Sequence, residues 1–402
     1  MRILVVCQHF YPEQFRINDV CFELVKKGHD VTVLTGLPNY PKGKILSEYR
    51  FFKNRKQKVK GVNIVRVSLI GRGKSTIRMG FNYLSFLING SLKALFMKKN
   101  FDVVYVYQLS PITMAIPAII VSKMSKIPLV IHCLDQWPIS VTTGPIKKES
   151  ILYKMLYALS RWTYNKADLI TTSSRSFKDY FINVLKISEK EKGLLYLPSY
   201  AEDDYKDIKS VKNNNFDLVF AGNIGPAQSV ETIIKAADKL KDNKKIIFHI
   251  VGDGLSKNIC ENMSKDLGLK NVIFHGFHDV KEMPKYYSVA DAFLITMVNN
   301  EVVNNTLPAK IQSYMLAGKP ILGAVSGEVK MVIEDAKCGL CCESLDYEKL
   351  ANNILYAFNH KKQMNSWAEN AKKYYYKYYD KEVCIRDLEN ALKKSIDERK
   401  ER

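Results

Sequence analysis

The chain has 402 residues, which is enough for two domains that each bury a full core. Its 47% hydrophobic and 25% charged residues are ordinary for a globular protein. The first apolar run ends at Cys7 and Gln8. It is too short for the apolar segment of a signal peptide. The longest apolar run, Ile112–Val121, is interrupted by Pro117 and falls well below the roughly 20 residues that a membrane-spanning helix needs.

The formal net charge is +20, and the basic residues are concentrated in one segment. Residues 50–100 contain 13 Lys or Arg and no Asp or Glu. A surface of this kind attracts phosphate-rich partners, which include nucleic acid, an anionic membrane and a diphosphate-linked substrate.

Eight cysteines are scattered along a chain in which we find no export signal, so free thiols in a reducing compartment are expected. Cys338, Cys341 and Cys342 form a CxxCC cluster, but no second CxxC or HxxxH pair follows at zinc-site spacing. We therefore expect no metal site in this cluster.

Short apolar runs alternate with helical patterns along the first half of the chain. Runs that are apolar almost throughout are typical of parallel strands buried on both faces, and the intervening segments are long enough for crossover helices. The pattern predicts a doubly wound α/β domain that binds ligands at the carboxyl ends of its strands. The predicted strands are Ile3–Cys7, Val31–Thr35, Val62–Val67, Val103–Tyr107, Leu129–Cys133 and Leu169–Thr172.

The alternation pauses at a polar stretch, Ala201–Asn215, which we interpret as an interdomain connection. It then restarts, which predicts a second α/β domain of similar size, with the boundaries at 1–198 and 199–380. With two such domains, the cleft between them is the expected site. The second set of strands is Leu218–Ala221, Ile246–Val251, Val272–Phe274, Ala292–Ile295 and Ile321–Gly323.

One helix is predicted over Ile77–Met97, where apolar residues recur at spacings of three and four. The pattern fits either a core helix of the first domain or a helix that lies in the membrane interface. Because the setting is basic and free of acids, we favour the membrane interpretation. The recurring residues are Ile77, Phe81, Leu84, Ile88, Leu92 and Leu95, and the surrounding basic residues are Arg72, Lys74, Arg78, Lys93, Lys98 and Lys99.

Two glycines, Gly222 and Gly225, follow the predicted strand Leu218–Ala221, and a helix is predicted to begin near Ser229. Glycines let the backbone approach a phosphate, and the N-terminus of the following helix offers unpaired N–H groups. Tight packing between the strand and the helix would account for this turn almost as well.

A longer, ordered set of motifs carries a stronger indication, and it closely resembles family 4 glycosyltransferases over nearly the whole chain. Within that family the chain looks most like bacterial O-antigen and capsule transferases, including N-acetyl-L-fucosamine transferases. The family motifs lie at residues 27–35, 167–173, 248–254, 271–277, 290–294 and 308–320, and the features of the narrower group lie at residues 10–19, 36–43 and 135–138.

This resemblance implies the GT-B fold, in which two Rossmann-like doubly wound domains face each other across a cleft. It implies that the first domain binds the acceptor and the second the nucleotide sugar. It also implies that no metal or other cofactor is needed, and that a last helix, 381–402, returns to the first domain. The implied donor is a UDP-sugar, and the implied sugar is an N-acetylated 6-deoxyhexose such as N-acetyl-L-fucosamine.

The implied acceptor is a lipid-diphosphate-linked saccharide in capsule or O-antigen synthesis. The protein is then expected to be cytoplasmic, and peripheral on the cytoplasmic face of the anionic inner membrane.

The chain departs from the family at charged positions. The paired glutamates of the family align with Asn305 and Ser313, and its diphosphate-binding Arg and Lys align with Asn223 and Gln228. A departing diphosphate still needs a compensating charge, for which Lys310 is the candidate; the alternative is a surface helix lysine. The residues predicted to bind the nucleotide sugar are Gly222, Asn223, Gly225, Gln228, Gly252, Asp253, Gly254, Asn305, Pro308, Lys310 and Ser313.

Candidate catalytic bases follow the predicted strands of the first domain at their carboxyl ends. Glu13 and Asp19 follow the first strand, and His132 and Asp135 lie at the end of a later one. We favour Asp19 for an inverting reaction, whereas the resemblance implies retention. Asp19 could instead cap the first helix, and His132 could be a satisfied core histidine. The predicted acceptor-binding residues are Arg16, Asn39, Tyr40 and Trp137.

Two rival functions were weighed against a glycosyltransferase. A nucleotide-sugar epimerase shares the two-domain fold, but the apolar and basic segment 77–97 favours a lipid-linked acceptor. A nucleic-acid-binding protein could use the basic segment 50–99, but the sequence contains no helix-turn-helix, zinc-finger or RNA-binding signature. We therefore predict a glycosyltransferase with no nucleic-acid partner.

Overall fold

A computed structural model describes residues 1–73, 75–189, 192–211 and 213–401. Lys74, one of the basic residues noted beside the helix at 77–97, and Lys212, in the predicted interdomain connection, lie outside the described residues. The chain divides into two compact units, Met1–Leu197 together with the chain from Ile385 onward, and Pro198–Cys384. We describe each unit in turn.

The first unit contains an eight-stranded sheet in the order β3-β4-β2-β1-β5-β6-β7-β8. All neighbouring strands are parallel except β3 and β4, which form an antiparallel pair. The central strands are buried along their length, as expected for a sheet covered on both faces. The strands are β1 Arg2–Val6, β2 Asp30–Gly36, β3 Lys56–Val59, β4 Val62–Val67, β5 Val103–Gln108, β6 Leu129–Cys133, β7 Leu169–Thr172 and β8 Gly193–Tyr196.

Crossover helices join these strands. The α-helices are α1 Arg16–Lys26, α2 Thr76–Leu95, α3 Ile116–Ser125, α4 Ile151–Tyr164 and α5 Phe177–Asp179, and shorter 3-10 or π turns lie at Ser47–Tyr49, Ile112–Ala115, Ile139–Thr143 and Tyr180–Val184. Helix α2 packs on α3 through small residues, and Gly90 lies so close to Pro117 that a Cβ there would be 2.9 Å from the proline ring. This close approach matters below, because it fixes which face of α2 is buried.

The second unit contains a six-stranded parallel sheet in the order β11-β10-β9-β12-β13-β14. Its core lies between the sheet and the helices that connect the strands. The strands are β9 Phe216–Ala221, β10 Ile246–Val251, β11 Val272–Gly276, β12 Ala292–Thr296, β13 Ile321–Ala324 and β14 Gly339–Cys342. The helices are α6 Val230–Lys239, α7 Lys257–Asp266, α8 Met283–Val289, α9 Glu301–Asn304, α10 Lys310–Ala317, α11 Glu328–Ala336, α12 Tyr347–Asn359 and α13 Lys361–Tyr378, with 3-10 turns at Asp203–Tyr205, Pro226–Gln228 and Val280–Glu282.

The predicted α/β class with two doubly wound parallel sheets is confirmed. Each strand predicted from an apolar run is present within two residues of its predicted ends. The sequence analysis missed β3, β8 and β14, each of four residues and each at or beside a sheet edge. Edge strands are short and often half-exposed, so they lack the continuous apolar run that identifies a buried strand.

The last helix, α14, spans Lys381–Glu401, and its residues from Ile385 onward belong to the first unit. Two ion pairs attach it there: Glu389 lies 3.3 Å from His29, and Arg399 lies 3.1 Å from Asp168. The polar stretch after Leu197 is packed within the second unit. The Ala201 N–H donates to the Tyr375 hydroxyl at 3.2 Å.

Candidate functional site

In the second unit, two glycine turns lie backbone against backbone at the carboxyl edge of the sheet. Gly222 follows β9 and Gly252 follows β10, with φ angles of 141° and 147°. A Cβ on Gly252 would overlap the Gly222 carbonyl, and one on Gly254 would overlap that of Ile224. Only glycine fits these contacts. The turns are joined by hydrogen bonds from Gly222 N to Val251 O at 2.9 Å, from Ile224 N to Asp253 O at 2.8 Å, and from Gly252 N to Gly276 O at 2.8 Å.

Lys310, the first residue of α10, extends its side chain against the Gly222 turn. Its Nζ is buried, has no hydrogen-bond partner among the described residues, and lies 4.0 Å from the centroid of the Phe220 ring. A Cβ on Gly222 would lie 3.0 Å from this Nζ, so the glycine also leaves room for the lysine. Burial lowers the pKa of Lys310 to about 7. The alternative that Lys310 is a surface helix lysine is wrong, because its amine is enclosed beside the turn.

The neutral residues that align with the family's basic pair bond to each other. Asn223 Nδ2 donates to Gln228 Oε1 at 3.2 Å, beside Gly225. Ser313 is buried, and its hydroxyl donates to the Ala309 carbonyl of its own helix at 3.3 Å. Binding of the nucleotide sugar through this hydroxyl requires it to leave the Ala309 carbonyl, and this role of Ser313 stays a prediction.

Three other predicted nucleotide-binding residues adjoin these turns. Asn305 is the residue after the end of α9, and Pro308 offers its carbonyl to the Ile311 N–H at 3.1 Å as α10 begins. Asp253 is exposed, and its Oδ1 accepts from the Gly254 N–H at 2.8 Å. The fold therefore places the predicted donor residues in the turns after β9 and β10 and at the start of α10.

In the first unit, Glu13 lies buried in the loop between β1 and α1. Its Oε1 accepts from the backbone N–H groups of Asn39 at 2.7 Å and Tyr40 at 2.6 Å, and its Oε2 lies 3.0 Å from His9 Nδ1. These contacts tie the loop after β1 to the loop after β2. They give Glu13 a structural role, and its role as a catalytic base stays a prediction.

Asn39 also connects segments at the carboxyl edge of this sheet through its side chain. Its Nδ2 donates to the Leu37 carbonyl at 2.9 Å, and its Oδ1 accepts from the Arg72 N–H at 3.0 Å and from Asn82 Nδ2 at 3.4 Å. Asn39 is buried, and both its amide oxygen and its amide nitrogen take part in these bonds. Its role as an acceptor-binding residue stays a prediction.

Asp135, in the loop after β6, is held by Ser110 from the loop after β5. Its Oδ2 accepts from the Ser110 N–H at 2.9 Å and from the Ser110 hydroxyl at 2.8 Å, and Trp137 Nε1 donates to the same hydroxyl oxygen at 2.9 Å. No described residue donates to Oδ1. Burial raises the pKa of Asp135, and the two Ser110 hydrogen bonds oppose that rise. A held carboxylate with a raised pKa and an unused oxygen has the properties of a general base.

His132 is the core histidine that the sequence allowed as an alternative. It lies buried on β6, with Nδ1 2.8 Å from the Thr171 hydroxyl, and its ring packs on Tyr105 and Tyr107. Burial lowers the pKa of His132 to about 4, so the ring is neutral at physiological pH. These observations favour a structural role over the predicted catalytic one.

Asp19 lies in the first turn of α1 and is partly exposed. The N-cap residue of this helix is Phe15, so the alternative that Asp19 caps it is wrong. Arg16 begins the same helix, and Tyr40 is exposed with the Arg72 guanidinium 5.7 Å from its ring centroid. Catalysis by Asp19 and acceptor binding by Arg16, Tyr40 and Trp137 stay predictions.

The sequence analysis missed the polar residues that organise this edge. Gln8 Nε2 donates to Asn82 Oδ1 at 2.6 Å, and Gln108 Oε1 accepts from the Tyr164 hydroxyl at 2.7 Å. Ser110 was missed as well. Both glutamines directly follow an apolar run, at the carboxyl end of a predicted strand. This position could have identified them from the sequence.

Helix α2 exposes the apolar stripe that the sequence predicted. The exposed fractions along the stripe run from 45% for Leu95 to 74% for Ile77. The buried face consists of Asn82, Phe86, Gly90 and Ala94. The alternative of a core helix with this stripe inside is therefore wrong. The stripe is Ile77, Phe81, Leu84, Ile88, Leu92 and Leu95.

Helix α4 carries a second exposed apolar face. Ile151, Leu152, Met155 and Trp162 are exposed, and the helix contains Lys154 and Arg161 but no acidic residue. Across residues 1–73, 75–189, 192–211 and 213–401, no helix is long and apolar enough to span a membrane.

The described residues contain no group of three or more His, Cys, Asp or Glu side chains arranged to hold a metal ion. All eight cysteines, including the CxxCC cluster, are free, and seven of them are buried.

Comparison with known proteins identifies the chain. A model described as "Glycosyl transferase 4-like domain" matches residues 14–191, and one described as "Glycosyl transferases group 1" matches residues 201–374. The chain is a family 4 glycosyltransferase. The Escherichia coli (strain K12) protein WcaI, whose name assigns it to colanic acid biosynthesis as a glycosyl transferase, is 24% identical over 340 residues, which are 79% of this chain and 82% of WcaI.

Solved structures of similar fold confirm the GT-B class of this glycosyltransferase. The Anabaena protein Alr3699/HepE, solved in complex with UDP, has a TM-score of 0.72 and 16% identity over 98% of this chain and 100% of its own. WaaG, a glycosyltransferase involved in lipopolysaccharide biosynthesis, has a TM-score of 0.68 and 16% identity over 97% and 99% of the two chains.

Proposed function

We propose that this glycosyltransferase moves a sugar from a UDP-sugar to a lipid-diphosphate-linked saccharide during assembly of a bacterial surface polysaccharide. The observation that carries the proposal is Lys310, whose amine is enclosed against the Gly222 turn of the second unit and has no hydrogen-bond partner in the part of the chain that the structure describes. A nucleoside diphosphate supplies the missing negative charge, and the glycine turn lets its phosphates approach the backbone. The presence of UDP in HepE supports the choice of nucleotide.

The assignment to surface polysaccharide rests on the name of WcaI and on the narrower resemblance to capsule and O-antigen transferases. That resemblance also motivates the proposed sugar, an N-acetylated 6-deoxyhexose such as N-acetyl-L-fucosamine. We assign nucleotide-sugar binding to the second unit and acceptor binding to the first, with α14 as the returning helix.

We propose that the first unit contacts an anionic membrane on the cytoplasmic face through α2. In this proposal the exposed apolar stripe enters the membrane interface, and basic residues at its ends face anionic headgroups. Each basic residue contributes about 1 kcal/mol to the free energy of membrane binding. Helix α4 has a second exposed apolar face, beginning at Ile151. A lipid-linked acceptor would lie in the same membrane.

Liposome sedimentation tests this surface. We expect binding to anionic vesicles that weakens as salt rises, and we expect Phe81→Glu to reduce it because the substitution places a charge in the exposed stripe. Asn359→Glu, at the exposed end of α12 in the second unit, is the matched control. Equal binding to neutral vesicles, or binding unchanged by Phe81→Glu, contradicts the proposal.

We propose Asp135 as the base if the reaction inverts the anomeric carbon, because its Oδ1 is unused and its Oδ2 is fixed by Ser110. Asp19, favoured from the sequence, is the second candidate.

A screen of nucleotide sugars with a short lipid-diphosphate acceptor tests the function. We expect transfer from one UDP-sugar and, in the absence of acceptor, slow hydrolysis without epimerisation. Epimerised UDP-sugar as the product, or salt-sensitive binding of short DNA duplexes with no transfer, would instead support one of the two rival functions.

A further inference from the structure

The Lys310 side chain has an unusual electrostatic setting. Its Nζ lies over the face of the Phe220 ring, is shielded from solvent and has no hydrogen-bond partner among the described residues. The neighbouring backbone atoms belong to the Gly222 turn. An aromatic face attracts a cation, but it does not replace the hydration that burial removes.

The position of Lys310 in its helix adds to this cost. Lys310 is the first residue of α10, where the aligned peptide dipoles place a partial positive charge. A protonated lysine at this end is disfavoured, whereas an anion is favoured. The free protein therefore holds an amine in a place that suits an ammonium only when an anion accompanies it.

We propose that binding of the nucleoside diphosphate is coupled to uptake of one proton by Lys310. This inference rests on the proposed function and goes beyond it. The function requires only a positive charge beside the diphosphate, whereas the structure indicates that the charge arrives with the ligand. Lys310 then carries its charge when donor or product is bound and loses most of it when the site empties.

The direction of the pH dependence follows from linkage. Burial lowers the pKa of Lys310 to about 7 in the free protein, and a bound diphosphate raises it. Affinity is therefore greatest below pH 7, where the lysine is already protonated. It falls as pH rises through 7, by up to about tenfold per pH unit for one coupled proton, until the pKa of the bound state is passed. A terminal phosphate ionises near pH 6, so UDP keeps its full charge above pH 7.

Other titratable groups lie on the elements around Lys310. Tyr314, on α10 itself, is buried, and burial raises its pKa, so it stays neutral. Asp253 follows β10, Glu301 begins α9, and Glu328 begins α11. Within the described part of the chain, burial alone accounts for the lowered pKa of Lys310, and these carboxylates do not contribute to it.

Isothermal titration of the full chain with UDP measures the coupling, in two buffers of different ionisation enthalpy at each pH. At pH 8, about nine-tenths of the free lysine is neutral, so we expect uptake of close to one proton per UDP bound. At pH 7 we expect about half a proton. The same titrations give the predicted fall in affinity between pH 7 and pH 9.

Three variants identify the group. Lys310→Met keeps the length of the side chain without a titrating amine, so both the proton uptake and its pH dependence disappear and affinity falls. Lys310→Arg stays charged throughout this range, so binding occurs without uptake. Lys265→Met, at the exposed end of α7, retains the wild-type coupling.

UDP binding by the wild type with no proton uptake at pH 8 overturns this inference and leaves the proposed function standing. Uptake that persists in Lys310→Met also overturns it, because another group then takes the proton. Failure of the wild type to bind UDP at any pH overturns the proposed function and this inference with it.

Discussion

The carboxyl edges of the two sheets are built in different ways. In the first unit, polar side chains form bonds with each other and with neighbouring loops, as Glu13 does with the amides of Asn39 and Tyr40. In the second unit, the glycine turns are joined by backbone hydrogen bonds, and Lys310 Nζ has no hydrogen-bond partner among the described residues. The edge in the first unit is thus a set of loops held together by side-chain hydrogen bonds. The edge in the second unit, which we call the backbone cradle, consists of the Gly222 and Gly252 turns with the buried amine of Lys310 beside them.

This difference shows which groups are available for chemistry. A side chain whose hydrogen-bonding capacity is used inside the protein holds a loop, whereas one with unused capacity can meet a substrate. By this criterion Glu13 and Asn39 hold loops, whereas Asp135 and Lys310 are the residues that we propose to act in the site.

The largest effect is expected from Asp135→Asn in an inverting reaction. Removing a general base costs about 100- to 10,000-fold in kcat. For the wild type, kcat/KM should fall as pH drops through the Asp135 pKa, which burial raises above its usual value, because only the deprotonated carboxylate accepts a proton.

Glu13→Gln is the matched carboxylate control. It should lower the free energy of unfolding while the folded protein keeps a kcat within a few-fold of wild type. Product NMR gives the anomeric configuration. Inversion with a large loss only in Asp19→Asn would transfer the role of base to Asp19. Retention with near-normal kinetics in both Asp135→Asn and Asp19→Asn would show that neither residue acts as a base.

Lys310→Met should reduce turnover by about 100-fold, because loss of one electrostatic contact to developing charge costs that much. Steady-state kinetics with saturating donor measure the effect, and Lys265→Met should stay near wild type. A Lys310→Met enzyme within a few-fold of wild-type kcat would contradict the role of this amine.

Gly252→Ala tests the backbone cradle. The added Cβ overlaps the Gly222 carbonyl, so we expect a loss of about 2–4 kcal/mol in the free energy of unfolding and weakened UDP binding. Gly268→Ala is the matched control, because Gly268 also has a positive φ, of 64°, but open space around it. Its cost should be about 1 kcal/mol, with normal UDP affinity. Denaturant unfolding and UDP titration measure both effects. Equal losses in the two variants would contradict a specific role of the close contact between Gly252 and Gly222.

The smallest effect is expected from chelation. In the proposed site the amine of Lys310 supplies positive charge to the diphosphate, so EDTA should leave transfer unchanged. Activity that is lost with EDTA and restored by manganese or magnesium would show that a metal supplies charge at this edge.

Part of this organisation could be predicted from local sequence. Apolar runs such as Ile3–Val6 and Ile246–Val251 report burial on both faces through their own composition, so the alternating strands and helices were predictable. The ordered motifs of the second unit likewise indicated the family, and the turns at Gly222 and Gly252 were predicted to bind the nucleotide sugar.

Other features depend on contacts between residues far apart in the chain. The periodicity of α2 defined an apolar stripe but not its orientation, which is set by the packing of Gly90 against Pro117 on α3. The sequence showed Glu13 as a carboxylate beyond a strand, but only the fold brings the Asn39 and Tyr40 N–H groups to its Oε1.

Lys310 lies within the family motif at residues 308–320, and its burial depends on Phe220 and Gly222, about ninety residues earlier in the chain. The sequence by itself determined which segments are strands and helices, because that depends on local apolar periodicity. The tertiary structure alone decided which polar groups are satisfied and which are left for a ligand, because a hydrogen bond or a burial penalty depends on neighbours that only folding brings together.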